Sequence, residues 1–235
     1  RHGSQRPSAP GIIPFIYTGG LRALLRLKTV QSVSLVRRFD VPRPRALLGD
    51  AHLRVLLADI ARVREAQPSD AYQTFYLSAA GSETSVMSRL KAAITGPTGL
   101  QEASPEGDLL LRLRRPPDGA ADWEAVIRLS PRPLATRPWR VCNLEGALNA
   151  TVAHAMALMT APTPYDVFLN VACGSGTLLI ERLACAPVKQ AIGCDTSAEA
   201  LACAQANIEA SGYAASIALH DWDARALPLS EASVD

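Results

Sequence analysis

A short apolar run, followed by a glycine-rich turn and a helical segment, constrains the fold of this chain more than any other feature. Val167 to Ala172 has the composition of a buried strand. Gly174 and Gly176 follow it, and Thr177 begins a segment with helical patterning. In α/β sheets, this arrangement lets a nucleotide-bearing cofactor lie against bare backbone. The segment therefore predicts the first strand of a Rossmann-like sheet.

A second predicted strand ends in a carboxylate. Lys189 to Asp195 is mostly apolar, and Asp195 lies 19 residues after Gly176, within the usual range for an acid that binds ribose hydroxyls. A dinucleotide site would place a third glycine at position 179, where this chain has Leu179. The turn therefore favours a cofactor with adenosine but no phosphates, S-adenosylmethionine, and disfavours a nicotinamide-dependent oxidoreductase.

A third strand completes the pattern. Ser197 to Ser211 has apolar residues at helical spacing, and Gly212 is the expected end of that helix. Ala215 to His220 then predicts a strand that leads into Asp221-Trp222-Asp223-Ala224.

Together these segments resemble the first three cofactor motifs of class I S-adenosylmethionine-dependent methyltransferases. The resemblance implies that the two glycines approach the methionine part, that Asp195 binds ribose and that Asp223 binds the adenine amine. The implied cofactor-binding residues are Ala172, Cys173, Gly174, Ser175, Gly176, Asp195, Thr196, Asp223, Ala224 and, from the preceding helix, Asn149 with Thr151 nearby.

Each of these roles has an alternative. Asp195 could cap the following helix, Asp221 competes with Asp223, and Trp222 could either cover the adenine ring or simply pack. Asn149 could cap its own helix. His154 is expected to pack on a helix, and four scattered histidines predict no metal site.

The charge is divided unequally along the chain. Residues 1–140 contain 21 Lys and Arg against 12 Asp and Glu, whereas residues 141–235 contain 3 against 10. We therefore expect three parts: a tail or linker over 1–20, a basic domain over 21–140 and the cofactor-binding domain over 141–235. A basic field attracts polyanions, which favours RNA as the partner; an ordinary basic surface, or one that docks on the acidic half, is the alternative.

The basic half predicts an α+β domain. Strands are expected at 23–29, 33–39, 74–79, 108–115 and 123–129, and helices at 46–64 and 84–94, with Gly96 and Pro97 closing the second helix. With the linker Pro133–Arg140 and the helical segment from Gly146, it resembles the THUMP domain of THUMP-linked RNA methyltransferases. That resemblance implies methylation of a guanosine amine in tRNA. Arg137, Trp139 and Arg140 either contact RNA or form a structural strap.

The resemblance also sets an expectation for the active site. In amino-methyltransferases the loop after the fourth strand holds the acceptor amine, and here that strand would begin near Ser233. We therefore expect a core that stops after its third strand, and we assign no catalytic residue. The alternatives are a non-catalytic cofactor- or RNA-binding protein and a methyltransferase that acts on DNA or another substrate.

Cysteine usage and hydropathy suggest the compartment. The five cysteines, Cys142, Cys173, Cys185, Cys194 and Cys203, are odd in number and lack C-x-x-C spacing, so they are expected to be reduced core residues in the cytoplasm. No apolar stretch approaches the ~20 residues of a membrane span. The oligomeric state is left open.

Overall fold

The computed structural model describes residues 11–81 and 83–235, which form two compact units. The first unit contains the described residues up to Leu27, together with Ser32–Pro133. The second contains Lys28–Gln31 and Leu134–Asp235. Residues 1–10 of the expected tail lie outside the described residues.

The first unit is a five-stranded sheet with two helices. Its elements are β1 (Ser34–Phe39), α1 (Asp50–Glu65), β2 (Thr74–Ala79), α2 (Ser85–Thr98), β3 (Gln101–Glu102), β4 (Leu109–Arg114) and β5 (Trp123–Arg128). The strand order is β1-β5-β4-β2-β3, with β5 antiparallel to β1 and β4, and β2 parallel to β4 and β3. This is the mixed α+β arrangement that the alternating patterns predict.

One face of this sheet is buried and the other is open. Side chains alternate across a strand, so Phe75, Leu77, Leu111 and Ile127 all enter the core, where each is fully buried. The intervening residues share the opposite face. Arg112 lies there, paired in register with Ser78 on one side and Val126 on the other.

Two predicted elements of this unit are wrong. The segment expected to be a strand over 23–29 is instead a 3-10 helix over Leu21–Arg26; its Ala, Leu and Arg residues have high helix propensity and no branching at Cβ. The helix expected from residue 46 begins at Asp50, because a 3-10 turn occupies Pro44–Leu48 first.

The end of α2 also differs from the prediction, which placed it at Gly96 and Pro97. The helix continues to Thr98, and Gly99 ends it with φ 71° while donating to the Thr95 carbonyl oxygen. A left-handed residue that closes a helix in this way is most often glycine. The core residue Ile94 is fully buried next to this last turn.

The second unit is a three-stranded parallel sheet with three helices. Its elements are α3 (Ala150–Met159), β6 (Val167–Val171), α4 (Thr177–Leu183), β7 (Gln190–Cys194), α5 (Ala198–Ser211) and β8 (Ile217–His220). The strand order is β6-β7-β8, and α5 ends at Gly212 in the left-handed conformation. The predicted alternation of strand and helix is therefore present.

The packing of α4 on the sheet accounts for the residue that departs from the dinucleotide pattern. Leu179 is fully buried in the core of this unit. A Cβ placed on Gly193 of β7 would lie 2.6 Å from the Leu179 Cδ1 atom. Close packing of the helix on the strand needs a small residue at this contact. Here the small residue is Gly193 on β7, and the large one is Leu179 on α4.

A carboxylate at the start of β6 is held by several donors. The Thr163 hydroxyl and the Thr163 backbone N–H donate to Asp166, and Arg182 donates from 2.6 Å. These hydrogen bonds lower the pKa of Asp166 to about 2, and the bond from the Thr163 hydroxyl contributes most.

Within residues 11–81 and 83–235, no helix has both the length and the apolar character needed to cross a membrane.

Candidate cofactor site

The turn between β6 and α4 has the backbone conformation that its glycines permit. Gly174 and Gly176 have φ of 54° and 76°, and Ala172 also has a positive φ, 52°. A Cβ on Gly176 would lie 3.3 Å from the Ala204 Cβ on α5, so this position is close-packed. A Cβ on Gly174 would meet no atom within 4 Å, so open space adjoins the backbone there.

Asp195 fixes the position of this turn. The Gly174 backbone N–H donates to the Asp195 Oδ2 atom over 2.9 Å, and the Ser197 N–H donates to Oδ1 over 3.0 Å. The second bond agrees with the helix-capping alternative, although Ser197 is itself the N-cap and accepts from the Ala200 N–H. Each carboxylate oxygen has two lone pairs, so Asp195 can also accept from ribose hydroxyls.

A cavity of about 240 Å³ adjoins the turn. One wall is the turn itself and the start of α4; the other is the segment Leu144–Leu148, which precedes α3. Of the predicted site residues, this cavity brings together Ala172, Cys173, Gly174 and Ser175. Asp195 does not line the cavity, but its carboxylate accepts from the N–H of Gly174, which does.

The remaining predicted residues do not line this cavity. Thr196 and Ala224 are exposed loop residues. The Asn149 Oδ1 atom caps α3 by accepting from the Thr151 N–H and hydroxyl, as the capping alternative proposed. Both oxygens of Asp223 accept from Arg225, whose hydrogen bonds lower the Asp223 pKa. The Trp222 ring stacks on His220, with centroids 4.0 Å apart.

Asn207, on α5, is a site residue that the sequence patterns did not reveal. Its side chain is fully buried. The N–H groups of Val141 and Cys142 each donate to its Oδ1 atom over 2.9 Å. Its Nδ2 atom donates to the carbonyl oxygens of Cys142 and Ser175, over 2.9 and 3.0 Å. Asn207 therefore joins the cofactor turn to the chain that enters the opposite wall of the cavity.

Arg140 makes a second connection between the two walls. Its Nη2 atom donates to the Leu148 carbonyl oxygen over 2.8 Å and to the Thr177 hydroxyl over 2.9 Å. Its Nη1 atom donates to the Asn143 side-chain oxygen. Partial burial lowers the Arg140 pKa, and its guanidinium lies 5.4 Å from the Trp139 ring centroid. These contacts match the structural-strap alternative.

The prediction that all five cysteines are reduced is wrong. Cys142 and Cys203 form a disulfide, with Cα atoms 5.4 Å apart. The two residues are 61 positions apart in sequence, so no local spacing reveals the pair. Cys173, Cys185 and Cys194 are free. Burial raises the pKa of the Cys173 thiol to about 12, with a further contribution from the Asp195 carboxylate, so this cavity thiol stays neutral.

The RNA-contact alternative for Arg137 is also wrong. Arg137 is buried, and its Nε atom donates to the Glu181 Oε1 atom over 2.7 Å. The other Glu181 oxygen lies 2.8 Å from His154 Nδ1. A guanidinium enclosed in this way cannot reach a polyanion. Among the described residues, no group of His, Cys, Asp and Glu has the arrangement of a metal site.

Comparisons with known proteins agree with this geometry. Residues 137–235 match the family model described as UPF0020, the RMKL-like methyltransferase domain. No curated protein shows a significant sequence match to the chain.

Similar solved structures include TrmN from Thermus thermophilus, with TM-score 0.60 and 22% identity over 92% of this chain and 63% of that one. A predicted N6-adenine-specific DNA methylase from Listeria monocytogenes has TM-score 0.57 and 19% identity, over 87% of this chain and 65% of that one. The methyltransferase candidate SMU.472, solved with SAH, has TM-score 0.54 and 12% identity over 85% and 64%. The chain therefore spans a little under two thirds of the length of these proteins.

The parallel sheet, the glycine turn fixed by a strand-end carboxylate and these matches define the class of the second unit. It is a class I S-adenosylmethionine-dependent methyltransferase domain, and S-adenosylmethionine is its cofactor. The family model that matches residues 137–235 is the RMKL-like methyltransferase domain, and it covers less than half of the chain.

Proposed function

We propose that this protein transfers the methyl group of S-adenosylmethionine to RNA, at the exocyclic amine of a guanosine in tRNA. The observation that carries the proposal is the charge difference between the two parts of the chain. Residues 1–140 have an excess of nine positive charges, whereas residues 141–235 have an excess of seven negative charges. A basic segment in the same chain as an acidic methyltransferase domain suits a polyanionic substrate.

The first unit has the role of the RNA-binding module in this proposal. Its order of strands and helices, with the sheet open on one face, is compatible with the THUMP-like domain that the sequence resemblance implies. Several of its arginines are exposed, and Arg43, Arg45 and Arg112 form no ion pair with other described residues. Such residues are free to neutralise phosphates. The proposed location is the cytoplasm; it follows from tRNA as the substrate, because the Cys142–Cys203 disulfide removes the argument from reduced cysteines.

The residues of the second unit act by positioning. The bound S-adenosylmethionine supplies an already activated methyl group, so the protein needs little acid–base chemistry. Asp195 orients the ribose and the turn together, because one carboxylate oxygen holds the Gly174 N–H. Asn207 and Arg140 hold the two walls of the cavity at a fixed separation. The neutral Cys173 thiol does not compete as a methyl acceptor.

The test is methyl transfer by the protein to tRNA. Unmodified tRNA is incubated with tritiated S-adenosylmethionine, and the labelled nucleoside is identified by mass spectrometry. We expect label on a guanosine amine. Methylation of DNA in preference to tRNA would overturn the proposal.

An adenine amine is a second candidate acceptor. The similar Listeria protein is a predicted N6-adenine-specific DNA methylase, and an exocyclic amine on a purine is common to both acceptors. The same experiment separates them, because N6-methyladenosine and N2-methylguanosine differ in mass and retention. Cofactor binding and RNA binding without any turnover would instead favour a non-catalytic binding protein.

A further inference from the structure

The first unit contains a cavity of its own, of about 290 Å³, where β2 and β4 end. Its walls are the last residues of these two strands, with Arg115 and Trp123. It includes none of the residues of the cofactor turn. Three of its lining residues are arginines, so its electrostatic character is positive.

These arginine charges are only partly compensated. Arg114 donates to Glu124, a buried carboxylate that also pairs with Arg38. The Arg115 guanidinium donates to backbone carbonyl oxygens, which carry no formal charge and so do not neutralise it. Arg112 is exposed, and none of the described residues forms an ion pair or hydrogen bond with its guanidinium. The cavity therefore has the donors for an anion.

Trp123 provides an independent observation. Its indole Nε1 atom is buried and has no hydrogen-bond partner among the described residues. The Arg115 guanidinium lies 4.8 Å from the centroid of its ring. A buried N–H without an acceptor is costly, and such groups are rare unless a ligand or water completes them. The Trp123 indole N–H therefore lacks an acceptor, and an anion could supply one.

We propose that this cavity binds a phosphodiester group of the RNA substrate, with Arg112 as its main charged contact. The inference rests on the proposed function and names a specific contact for the RNA. Phosphate offers only acceptors, and guanidinium groups match its geometry in paired hydrogen bonds. Arg112 is the unpaired guanidinium, Arg115 adds charge beside the Trp123 ring, and the indole N–H donates to a phosphate oxygen.

The binding test uses three variants of the full chain. Arg112→Gln should weaken tRNA binding about tenfold at moderate salt, since a charge-assisted contact is lost. It should also reduce the slope of log affinity against log salt by about 0.7 to 0.9, the value of one phosphate contact. Arg89→Gln is the matched control, because it removes an equally exposed arginine from α2, which does not line the cavity.

Trp123→Phe tests the indole N–H itself. The ring is kept and an unsatisfied group is removed, so the melting temperature should stay the same or rise, while RNA binding weakens several-fold. A merely structural role for Trp123 would instead lower the melting temperature and leave the affinity of the folded protein unchanged.

A titration with inorganic phosphate separates this inference from the proposed function. The chain has three tryptophans, so an ¹⁵N spectrum shows three indole N–H signals. The one missing in Trp123→Phe should shift on adding phosphate, and should not shift in Arg112→Gln. If tRNA binds but all three variants bind like wild type, the cavity assignment is wrong and the proposed function stands. If tRNA does not bind, the proposed function fails, and an unshifted Trp123 signal would overturn the cavity as well. The phosphodiester assignment would also be overturned if an acidic peptide displaced phosphate from the cavity at a lower concentration than RNA does.

Discussion

Replacing Asn207 with leucine should loosen the cofactor cavity and destabilise the second unit. Leucine has a similar volume, so the change removes four hydrogen bonds without leaving a large hole. It deprives the Val141 and Cys142 N–H groups, and the Cys142 and Ser175 carbonyl oxygens, of their partner. We therefore expect both lower stability and weaker binding of S-adenosylhomocysteine.

The magnitude follows from where the four partners lie. The bond to the Ser175 carbonyl oxygen is buried, and leaving such a group unsatisfied costs about 1–3 kcal/mol. The three groups at Val141 and Cys142 are only partly buried, and Val141 is 65% exposed, so water can replace Asn207 there at up to about 1 kcal/mol each. The free energy of unfolding should therefore fall by roughly 2–5 kcal/mol, since such terms are not additive.

Urea denaturation measures the first effect and calorimetric titration of S-adenosylhomocysteine the second. Gln205→Leu is the matched control, because Gln205 is an exposed amide on the same helix with one surface hydrogen bond, to Glu209. That change should alter stability by no more than about 0.5 kcal/mol. If Asn207→Leu behaves like Gln205→Leu in both measurements, Asn207 does not hold the cavity walls.

Three further predictions concern charged groups. Asp195→Ala should weaken S-adenosylhomocysteine binding by about 1.5–3 kcal/mol in a calorimetric titration, because hydrogen bonds to a charged acceptor are lost. The control Glu199→Ala removes an exposed acid from α5 and should leave binding unchanged. Equal losses in the two variants would rule out a specific role for Asp195. Arg137→Met should lower the free energy of unfolding by about 3–5 kcal/mol, because the buried Glu181 carboxylate loses its guanidinium partner and keeps only its contact with His154. Arg132→Met breaks only an exposed ion pair and should cost less than about 1 kcal/mol. Similar costs for the two variants in urea denaturation would contradict the buried network. The pKa of Asp166 is lowered to about 2, so the ionised carboxylate stabilises the fold fully above about pH 4, the pKa of Asp in the unfolded chain, and this contribution is lost as pH falls from about 4 to 2. Over this pH range the melting temperature should fall less in Asp166→Asn than in the wild type. Parallel curves of melting temperature against pH would refute the assignment.

The cofactor turn could be predicted from sequence because its physical causes are local. An apolar run, two glycines with positive φ and an acid at a fixed distance are all visible within 30 residues of chain. The β-hairpin formed by β4 and β5 was predictable for the same reason, since its turn residues lie between two alternating runs. Local patterns also set the order of strands and helices in both units.

The connections between distant segments could not be predicted. Asn207 lies in a helix where a polar residue is normally solvent-facing, and only its partners, 32 to 66 residues away, explain its burial. The Cys142–Cys203 disulfide likewise depends on the packing of α5 against the chain before α3. Arg137, in a Pro-rich and Arg-rich linker, has the composition of a solvated surface, and its buried partner Glu181 is 44 residues away.

The assignment of Lys28–Gln31 to the second unit affects how the protein can be divided into fragments. The Lys28 carbonyl oxygen accepts from Arg137, and the Gln31 carbonyl oxygen accepts from the Ala135 N–H. A fragment that starts at Leu134 would keep both donors and lose both acceptors. A single cut in the chain therefore cannot isolate the methyltransferase unit intact. A circular permutant, or co-expression with a peptide that includes Lys28–Gln31, would preserve these contacts.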